Sequence, residues 1–319
     1  MTRLRFVLGP GERERLDKVL VRLCEGASRA TVQRWVEEGR VRVNGKACRA
    51  KDQVGPGAVL EVEPAPPPLS TAEPDAGVRF ELLYEDDELL VVNKPAGLVV
   101  HPARGHATGT LVNGLLSMQS FRSVPVDPRD PAGVLRPGVV HRIDKGTSGV
   151  LVIAKNERVR EGLKEQLAKH TVERVYCALT IGVPQAGRIA TLYGRHPQNR
   201  LKFSSRVAQG KTAVTHVSVL ETLAGGRAAR IECRLETGRT HQIRVHLTEQ
   251  TQTPIVGDPL YRPTHLPNEL RAAQQLIDHQ ALHARVLGFV HPTSQERLRF
   301  EAPWPADFEA ALTALRQVS

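Results

Sequence analysis

A polar loop with one carboxylate separates two apolar runs in the middle of the chain. The loop reads DKGTSG from Asp144 onward, and residues 138–140 and 150–154 on either side are mostly apolar. A carboxylate at the end of such a run can act as a nucleophile or as a base. Taken alone, the same loop is also typical of a tight turn, in which an aspartate accepts a backbone N–H and glycines adopt positive φ. The local sequence leaves both interpretations open.

Histidines near the polar segments raise the question of a metal site. His241 and His246 are five residues apart, whereas two ligands on one helical face are typically about four apart, and no acidic residue follows the first as in HExxH. The four cysteines are scattered without C-x-x-C spacing, which is typical of reduced thiols. We therefore expect neither a metal site nor a disulfide framework.

Several segments occur in an order that is typical of one family. They are residues 93–102 (NKPAGLVVHP), 138–155 around Asp144, 176–178 (YCA), 238–247 (GRTHQIRVHL), 257–261 (GDPLY) and 281–284 (ALHA). Together they resemble the RluA-type pseudouridine synthases along nearly all of residues 80–303. The resemblance implies an enzyme that isomerises uridine to pseudouridine in RNA.

The resemblance also implies roles for four side chains. Asp144 matches the family's single essential carboxylate, and Arg244 matches an arginine that pairs with it and favours its ionised form. Tyr176 matches a tyrosine that contacts the target base, where its ring can stack and its phenol can transfer a proton; a core tyrosine is the alternative. Arg142 matches an arginine that enters the RNA when the nucleotide is flipped out, and a surface ion pair is the alternative.

The reaction itself bears on cofactors and on rival functions. Isomerisation breaks the glycosidic bond, turns the base and forms a carbon–carbon bond to the same sugar, so the resemblance implies no cofactor and no metal. A glycosidase generally uses two carboxylates, and only Asp144 stands out within its motif. A non-catalytic RNA-binding or ribosome-assembly protein would not need Asp144, Tyr176 and Arg244 together.

The composition favours a basic globular protein that binds polyanions. The 319 residues carry a net charge of +10, and 40% of them are hydrophobic. Lysines and arginines near phosphates release counterions, so nucleic acid is the leading partner class. The sequence has no apolar run near the roughly 18 residues of a membrane span and no recognisable secretory signal. We expect no membrane association, a cytoplasmic location and a monomer.

A Pro-rich segment divides the chain into two domains. Residues 65–77 (APPPLSTAEPDAG) cannot form a regular backbone ladder and predict an extended linker. Residues 12–64 then form a small N-terminal α/β domain, and residues 78–319 form the catalytic domain. In the latter, short β-type runs recur at residues 89–93, 150–154, 175–181, 213–220 and 229–235, with a few amphipathic helical stretches such as 159–169. This pattern predicts an α+β fold with a mostly antiparallel sheet.

The N-terminal domain is predicted to bind RNA. Apolar spacing predicts helices over residues 16–23 and 30–38, and alternating runs predict strands at 41–43 and 59–62. The segments RLDK at 15–18, SR at 28–29, GRVRVNG at 39–45 and VGPG at 54–57 resemble the RNA-binding domain named after ribosomal protein S-four. The expected phosphate contacts are Arg29, Arg34, Arg40, Arg42 and Lys46. A solvated face of a small helical domain is the alternative.

Two further segments indicate which RNA is modified. Residues 194–203 (GRHPQNRLKF) and 210–215 (GKTAVT) resemble the RluD-like branch, which acts on a stem-loop of large-subunit ribosomal RNA, with Phe203 in place of the usual methionine. With the N-terminal domain, this resemblance implies 23S ribosomal RNA or a ribosomal precursor particle as the partner; another RNA, such as transfer RNA, is the alternative. Gly146 stands where a larger residue is common, which argues against a side-chain contact with RNA there.

Overall fold

The computed structural model describes residues 3–11, 13–24, 27, 29–65, 71–103, 105–121, 124, 126, 133–263 and 265–318. The predicted domain start at residue 12 and residues 66–70 of the predicted linker lie outside the described residues. None of the described helices is long and apolar enough to cross a membrane.

The N-terminal part folds around two short helices. They are α1 (Leu16–Leu23) and α2 (Arg29–Glu37), where the apolar spacing predicts helices. Within the described residues the strands are β1 Leu4–Val7, β2 Glu14–Arg15, β3 Val41–Val43, β4 Lys46–Ala47, β5 Gln53–Val54 and β6 Val59–Val62. They form a sheet in the order β1-β6-β3-β4 and a separate pair, β2-β5. Leu20, Trp35 and Leu60 are buried in one cluster, so this part has its own hydrophobic core.

A buried carboxylate holds the start of this unit together. Asp17 is completely buried and accepts hydrogen bonds from Arg15, Arg29 and Gln33, each at 3.0 Å. Burial alone would raise the pKa of Asp17, but these hydrogen bonds lower it to about 2. The carboxylate therefore joins the beginning of α1 to α2 as an anion.

The rest of the chain is built on one large sheet. Its strands are β7 Glu81–Glu85, β8 Leu89–Lys94, β9 Ser148–Ala154, β10 Glu173–Ile181, β11 Gly187–Arg195, β12 Phe203–Ser204, β13 Lys211–Leu223, β14 Ala228–Leu235, β15 Leu282–Val290 and β16 Arg297–Glu301. The order is β12-β11-β13-β14-β10-β15-β9-β8-β7, and β16 also pairs with β15. The pair β15 and β9 is parallel and the other pairs of the described sheet are antiparallel, so the predicted α+β fold with a mostly antiparallel sheet is confirmed.

Helices cover both faces of this sheet. They are α3 Leu111–Ser117, α4 Glu157–Ala168, α5 Gln242–Glu249, α6 Arg271–Gln275 and α7 Ala306–Arg316. Along β8, Leu90 and Val92 belong to one core and Leu89 and Val91 to another, because successive strand residues point to opposite faces. The first core includes side chains of α3, α5 and α7, and the second includes those of α4.

The described ends of the predicted linker are attached to different parts of the molecule. The Ala65 carbonyl accepts a hydrogen bond from Trp35 Nε1 at 3.0 Å in the N-terminal unit. The Asp75 N–H donates to the Asn113 carbonyl at 2.8 Å in α3. A boundary between these two residues stays a prediction.

Candidate active site

Asp144 lies in the loop that leads into β9. The Thr147 N–H donates to the Asp144 carbonyl at 3.0 Å, so the loop does form the tight turn that its residues predict. Gly149, with φ of +116°, is needed where β9 begins, because a Cβ there would lie 2.1 Å from the Ala284 carbonyl oxygen of β15. Among the described residues, no backbone N–H binds the Asp144 side chain, which is therefore free to face the solvent-accessible cleft.

The Asp144 carboxylate is bound by an arginine of helix α5. Arg244 Nη1 donates to Asp144 Oδ2 at 2.9 Å, and the Arg244 side chain is 5% exposed. His241, with φ of +59°, precedes the helix and turns the chain so that Arg244 falls in the first turn of α5. The contact between Arg244 and Asp144 that the resemblance implies is thus present in the structure.

A second carboxylate, which the sequence analysis did not assign, orients Arg244. Asp258 accepts hydrogen bonds from Arg244 Nε at 2.7 Å and Nη2 at 2.9 Å, and it is itself bound by the N–H groups of Leu260 and Tyr261. Burial would raise the pKa of Asp258, but the hydrogen bonds of Arg244 lower it. Burial would also lower the pKa of Arg244, and its bonds to Asp258 and Asp144 raise it instead. Asp258 lies in the GDPLY segment, and an acidic residue within that motif was the sequence signal that could have identified it.

A buried lysine binds backbone carbonyls of the Asp144 loop and of the segment that precedes it in the site. Lys94, at the end of β8, is completely buried, and its Nζ donates to the carbonyls of Pro95, Leu98 and Lys145 at 2.8, 2.8 and 3.1 Å. Burial lowers the pKa of Lys94 to about 7. These bonds join the NKPAG segment to Lys145, the residue after Asp144.

Gly146 is closely packed rather than open to a ligand. A Cβ at this position would lie 2.6 Å from Gln280 Oε1 and 3.0 Å from His279 Cβ. Gln280 Nε2 also donates to Thr147 Oγ1 at 2.9 Å, which holds the segment before β15 against the loop. The lack of a side chain at Gly146 therefore allows residues 279–280 to pack against the loop.

Tyr176 lies in β10 and faces the same cavity as Asp144. The pairing of β10 with β15 shifts between Val175 and Tyr176, so an extra residue on β15, Arg285, bulges opposite this point. The ring of Tyr176 is buried, and burial raises the pKa of its phenol to about 12. At neutral pH the hydroxyl is therefore protonated and can donate a hydrogen bond, and it makes none to a described residue.

Two cavities meet at Asp144. One has a volume of about 540 Å³ and includes Tyr176 in its wall; the other has a volume of about 940 Å³ and lies on the side of loop 95–103. Arg142, Asp144 and Arg244 line both of them. Arg142 is exposed and forms no ion pair or hydrogen bond with the described residues. The surface ion pair that was the alternative role for Arg142 is therefore not seen among them.

A histidine at the junction is held by aromatic side chains. His241 Nδ1 lies 3.0 Å from the Tyr261 hydroxyl, and that oxygen accepts the Phe203 N–H at 2.9 Å. His241 Nε2 is 4.0 Å from Asp144 Oδ2. Burial lowers the pKa of His241, so the ring is neutral near pH 7. The part of the chain that the structure describes contains no cluster of three potential metal ligands.

The five basic residues predicted to bind RNA have different surroundings. Arg29, Arg42 and Lys46 are exposed, and Arg40 is partly exposed beside Glu38, at 2.7 Å. Arg34 differs from them, because its side chain is 12% exposed and donates to Glu38 and to the Ala65 carbonyl. It stabilises the N-terminal unit, and its role in RNA binding is the least supported of the five.

The fold and the cleft place a partly exposed carboxylate, Asp144, against a buried arginine, Arg244. In comparison with known proteins, the family model of RNA pseudouridylate synthases matches residues 88–249, and that of the S4 domain matches residues 14–60. The chain belongs to the RNA pseudouridine synthase family, and it carries an S4 domain at its N-terminus.

Individual relatives extend this match over most of the chain. The ribosomal large subunit pseudouridine synthase D of Neisseria meningitidis serogroup A is 45% identical over 95% of this chain and 79% of its own length. An uncharacterized RNA pseudouridine synthase of Bacillus subtilis, YlyB, is 44% identical over 95% of both chains. A structure of human RNA pseudouridylate synthase domain containing 4 superposes with a TM-score of 0.57 and 26% identity, covering 74% of this chain and 93% of that one. The protein is an RNA-modifying isomerase, as the sequence predicts.

Proposed function

We propose that this pseudouridine synthase modifies uridines of large-subunit ribosomal RNA, with Asp144 as its catalytic carboxylate. The substrate is supported by the Neisseria meningitidis relative, which is named for the ribosomal large subunit and matches 95% of this chain. The catalytic assignment depends above all on one observation, the 2.9 Å contact between Arg244 Nη1 and Asp144 Oδ2 in the wall of a cleft.

The proposed chemistry needs an ionised Asp144 that stays in one orientation. Arg244 supplies the opposite charge, and Asp258 fixes the plane of the guanidinium with two hydrogen bonds. The Asp144 side chain is 16% exposed and borders both cavities, so a flipped-out nucleotide can reach it from either one. The carboxylate then acts as a nucleophile or as a base on the target nucleotide.

Two side chains are proposed to hold the target nucleotide out of the RNA helix. Tyr176 stacks on or hydrogen-bonds to the uracil, because it borders the cavity of Asp144 and its hydroxyl is protonated at neutral pH. Arg142, exposed at the rim of both cavities, occupies the space that the flipped nucleotide leaves. Flipping costs a few kcal/mol, which such contacts offset.

The S4 domain is proposed to gather RNA through Arg29, Arg40, Arg42 and Lys46. The net charge of +10 favours binding to phosphates over the whole surface. A ribosomal substrate also implies a cytoplasmic location, where ribosomes are assembled, and action as a monomer belongs to the same proposal. Transfer RNA is the alternative substrate.

Pseudouridine mapping tests the substrate. We expect that deleting the gene removes specific pseudouridines from large-subunit ribosomal RNA, and that Asp144→Asn fails to restore them although it binds the RNA as tightly as wild type. Measuring the RNA affinity of Asp144→Asn separates loss of chemistry from loss of binding, because asparagine is nearly isosteric with aspartate. Loss of pseudouridines from transfer RNA alone would identify the alternative substrate.

Activity of the variant tests the catalytic residue. Tritium release from uridine labelled at carbon five follows the reaction in a transcript of the mapped stem-loop. Asp87→Asn, which removes an exposed carboxylate outside both cavities, is the matched control. Turnover by Asp144→Asn at the rate of this control would refute Asp144 as the catalytic carboxylate.

A further inference from the structure

A second arginine, which has no role in the proposed function, is buried in the wall of the smaller cavity. Arg174 lies two residues before Tyr176 in β10 and therefore shares its face of the strand. It is 8% exposed, and it borders the 540 Å³ cavity together with Asp144 and Tyr176. One arginine in a strand is not a motif, so the sequence alone gives no reason to select Arg174.

The charge of Arg174 has no counter-ion among the described residues. Its Nη2 donates to the Glu236 carbonyl at 2.7 Å, and its buried Nε has no hydrogen-bond partner there. Burial lowers the pKa of Arg174, yet a guanidinium keeps its proton at neutral pH. Arg244, by contrast, is paired with two aspartates.

A buried cation without a partner is costly, and its position shows where a partner can enter. Buried charges are normally paired, since taking an ion out of water without a partner is strongly unfavourable. A Cβ at Gly238 would lie 2.6 Å from Arg174 Nη1, so the chain passes close to the guanidinium at this residue. Gly238 and Arg174 both border the cavity. The open side of the guanidinium is therefore the cavity that contains Asp144.

We propose that Arg174 binds an anionic oxygen of the target nucleotide, an inference that rests on the proposed function. When the C1′–N1 bond breaks, both bonding electrons remain on the uracil and the negative charge spreads to O2 and O4. Those electrons are consumed when the C1′–C5 bond forms, and the proton on C5 then leaves while N1 gains one. A fixed guanidinium beside Tyr176 stabilises such a charge or, equally by its chemistry, a phosphate of the same nucleotide.

The test separates these two sources of anionic oxygen. Arg174→Gln and Arg174→Lys are compared with wild type in single-turnover tritium release at saturating RNA and in RNA affinity at several salt concentrations. For a uracil oxygen we expect the rate of Arg174→Gln to fall by about 10²- to 10³-fold with unchanged affinity. For a phosphate we expect weaker binding and a salt slope reduced by about 0.7 to 0.9. Arg174→Lys should recover part of either loss, because it restores the charge without the planar fork.

Controls distinguish anion binding from a structural role. Arg230→Gln removes an arginine from the neighbouring strand β14 that is paired with Glu221 at 3.2 Å and borders neither cavity. Millimolar guanidinium chloride should restore turnover to Arg174→Ala relative to equal sodium chloride, and should leave the turnover of Arg230→Ala, which has no lost activity to restore, unchanged. Normal rate, affinity and salt slope in Arg174→Gln would overturn the proposal, as would a loss of activity that follows thermal stability and resists guanidinium.

The choice of RNA keeps this test independent of the proposed substrate. Wild type is first assayed on the ribosomal stem-loop and on total cellular RNA, and the Arg174 variants are compared on whichever RNA it modifies. Wild-type activity on other RNA alone would refute the ribosomal substrate, while the ratios for the Arg174 variants would still decide the role of Arg174.

Discussion

Arg244 and Asp258 form two parallel hydrogen bonds, Nε to Oδ2 at 2.7 Å and Nη2 to Oδ1 at 2.9 Å. The remaining nitrogen, Nη1, lies 2.9 Å from Asp144. Asp258 is the more deeply buried carboxylate, with a side chain 1% exposed against 16% for Asp144. One guanidinium thus joins a structural carboxylate to the proposed catalytic one, and Asp258 sets the direction in which Nη1 points.

Removing the charge of Asp258 should therefore impair catalysis through Arg244. In Asp258→Asn, the amide presents one oxygen acceptor and one N–H₂ donor to the two guanidinium donors, so at most one of the two hydrogen bonds can form. We expect turnover to fall by roughly 10- to 100-fold, the range found when a residue that orients a functional side chain is replaced. We also expect unfolding free energy to fall by about 3 kcal/mol, because a buried ion pair is broken. Steady-state turnover and RNA affinity are measured together. Wild-type turnover in this variant would show that Asp258 does not position Arg244.

Substitution of Arg244 itself should separate charge from geometry. Arg244→Ala leaves two carboxylates without their partner, and we expect turnover to fall by at least about 100-fold, the factor that about 2.7 kcal/mol represents. Arg244→Lys should recover only part of the rate, because a point charge cannot bind Asp258 at two atoms and Asp144 at a third. Single-turnover rates at saturating RNA measure both effects. Full activity of Arg244→Lys would mean that charge alone suffices.

Two substitutions of Tyr176 should show whether its ring or its hydroxyl matters. If the ring stacks on uracil, Tyr176→Ala loses about 1 to 3 kcal/mol and roughly 5- to 150-fold in rate, whereas Tyr176→Phe stays close to wild type. The raised pKa of about 12 already disfavours the phenolate as a base near neutral pH. Tritium release is measured for both, with thermal unfolding as a control because the ring packs in the core. Equal losses in the two variants would instead assign proton transfer or hydrogen bonding to the hydroxyl.

Acid should weaken the N-terminal unit through Asp17. Its pKa is about 2 in the folded protein and 3.8 in a model peptide, so its stabilisation is complete above the unfolded value and is lost as pH falls through the folded one. From these values we expect about 1 kcal/mol less stability for this unit at pH 3 than at pH 7 from Asp17 alone. Asp17→Asn should be less stable at pH 7 and should lack this part of the pH dependence.

Fluorescence of Trp35 can report on that unit alone. The chain has two tryptophans, and Trp35 lies in the N-terminal core, so Trp304→Phe leaves Trp35 as the single probe. Urea unfolding is followed at pH 7 and at pH 3 with and without Asp17→Asn in this background. Equal acid sensitivity of both proteins would show that Asp17 is not the titrating group.

Deleting residues 1–70 should leave a folded enzyme with weaker RNA binding. The N-terminal core is separate from the cores of the large sheet, although Thr31 Oγ1 donates a hydrogen bond to Glu157 at the start of α4. We expect turnover at saturating RNA to survive, and the salt slope of binding to fall by about 0.7 to 0.9 for each lost phosphate contact. Thr31→Val in the full chain controls for the lost hydrogen bond. An unfolded truncation would refute the domain boundary, and an unchanged salt slope would refute RNA binding by the S4 domain.

Local patterns in the sequence were sufficient for most of the secondary structure. Apolar residues at helical spacing predicted α1 and α2, and the amphipathic run at 159–169 corresponds to α4, Glu157–Ala168. The alternating and apolar runs predicted β8, β10 and β14 because period and propensity act over a few neighbouring residues. The local sequence around Asp144 fitted a tight turn as well as a catalytic site, and the ordered motifs that resemble one family were what selected Asp144.

Only the tertiary structure decided how the charges of the site are distributed. Asp144 and Arg244 are 100 residues apart, and the sharing of Arg244 with Asp258 depends on how α5 and the loop after it pack against β9. Burial is likewise a property of the packed chain. Arg34 was predicted to contact phosphate, and its side chain is mostly buried. Arg174 belongs to no motif, yet it lies buried near Tyr176 with no carboxylate partner among the described residues. A side chain's partners and its exposure depend on residues far away in sequence, so the local pattern that predicts a helix or a strand carries no information about them.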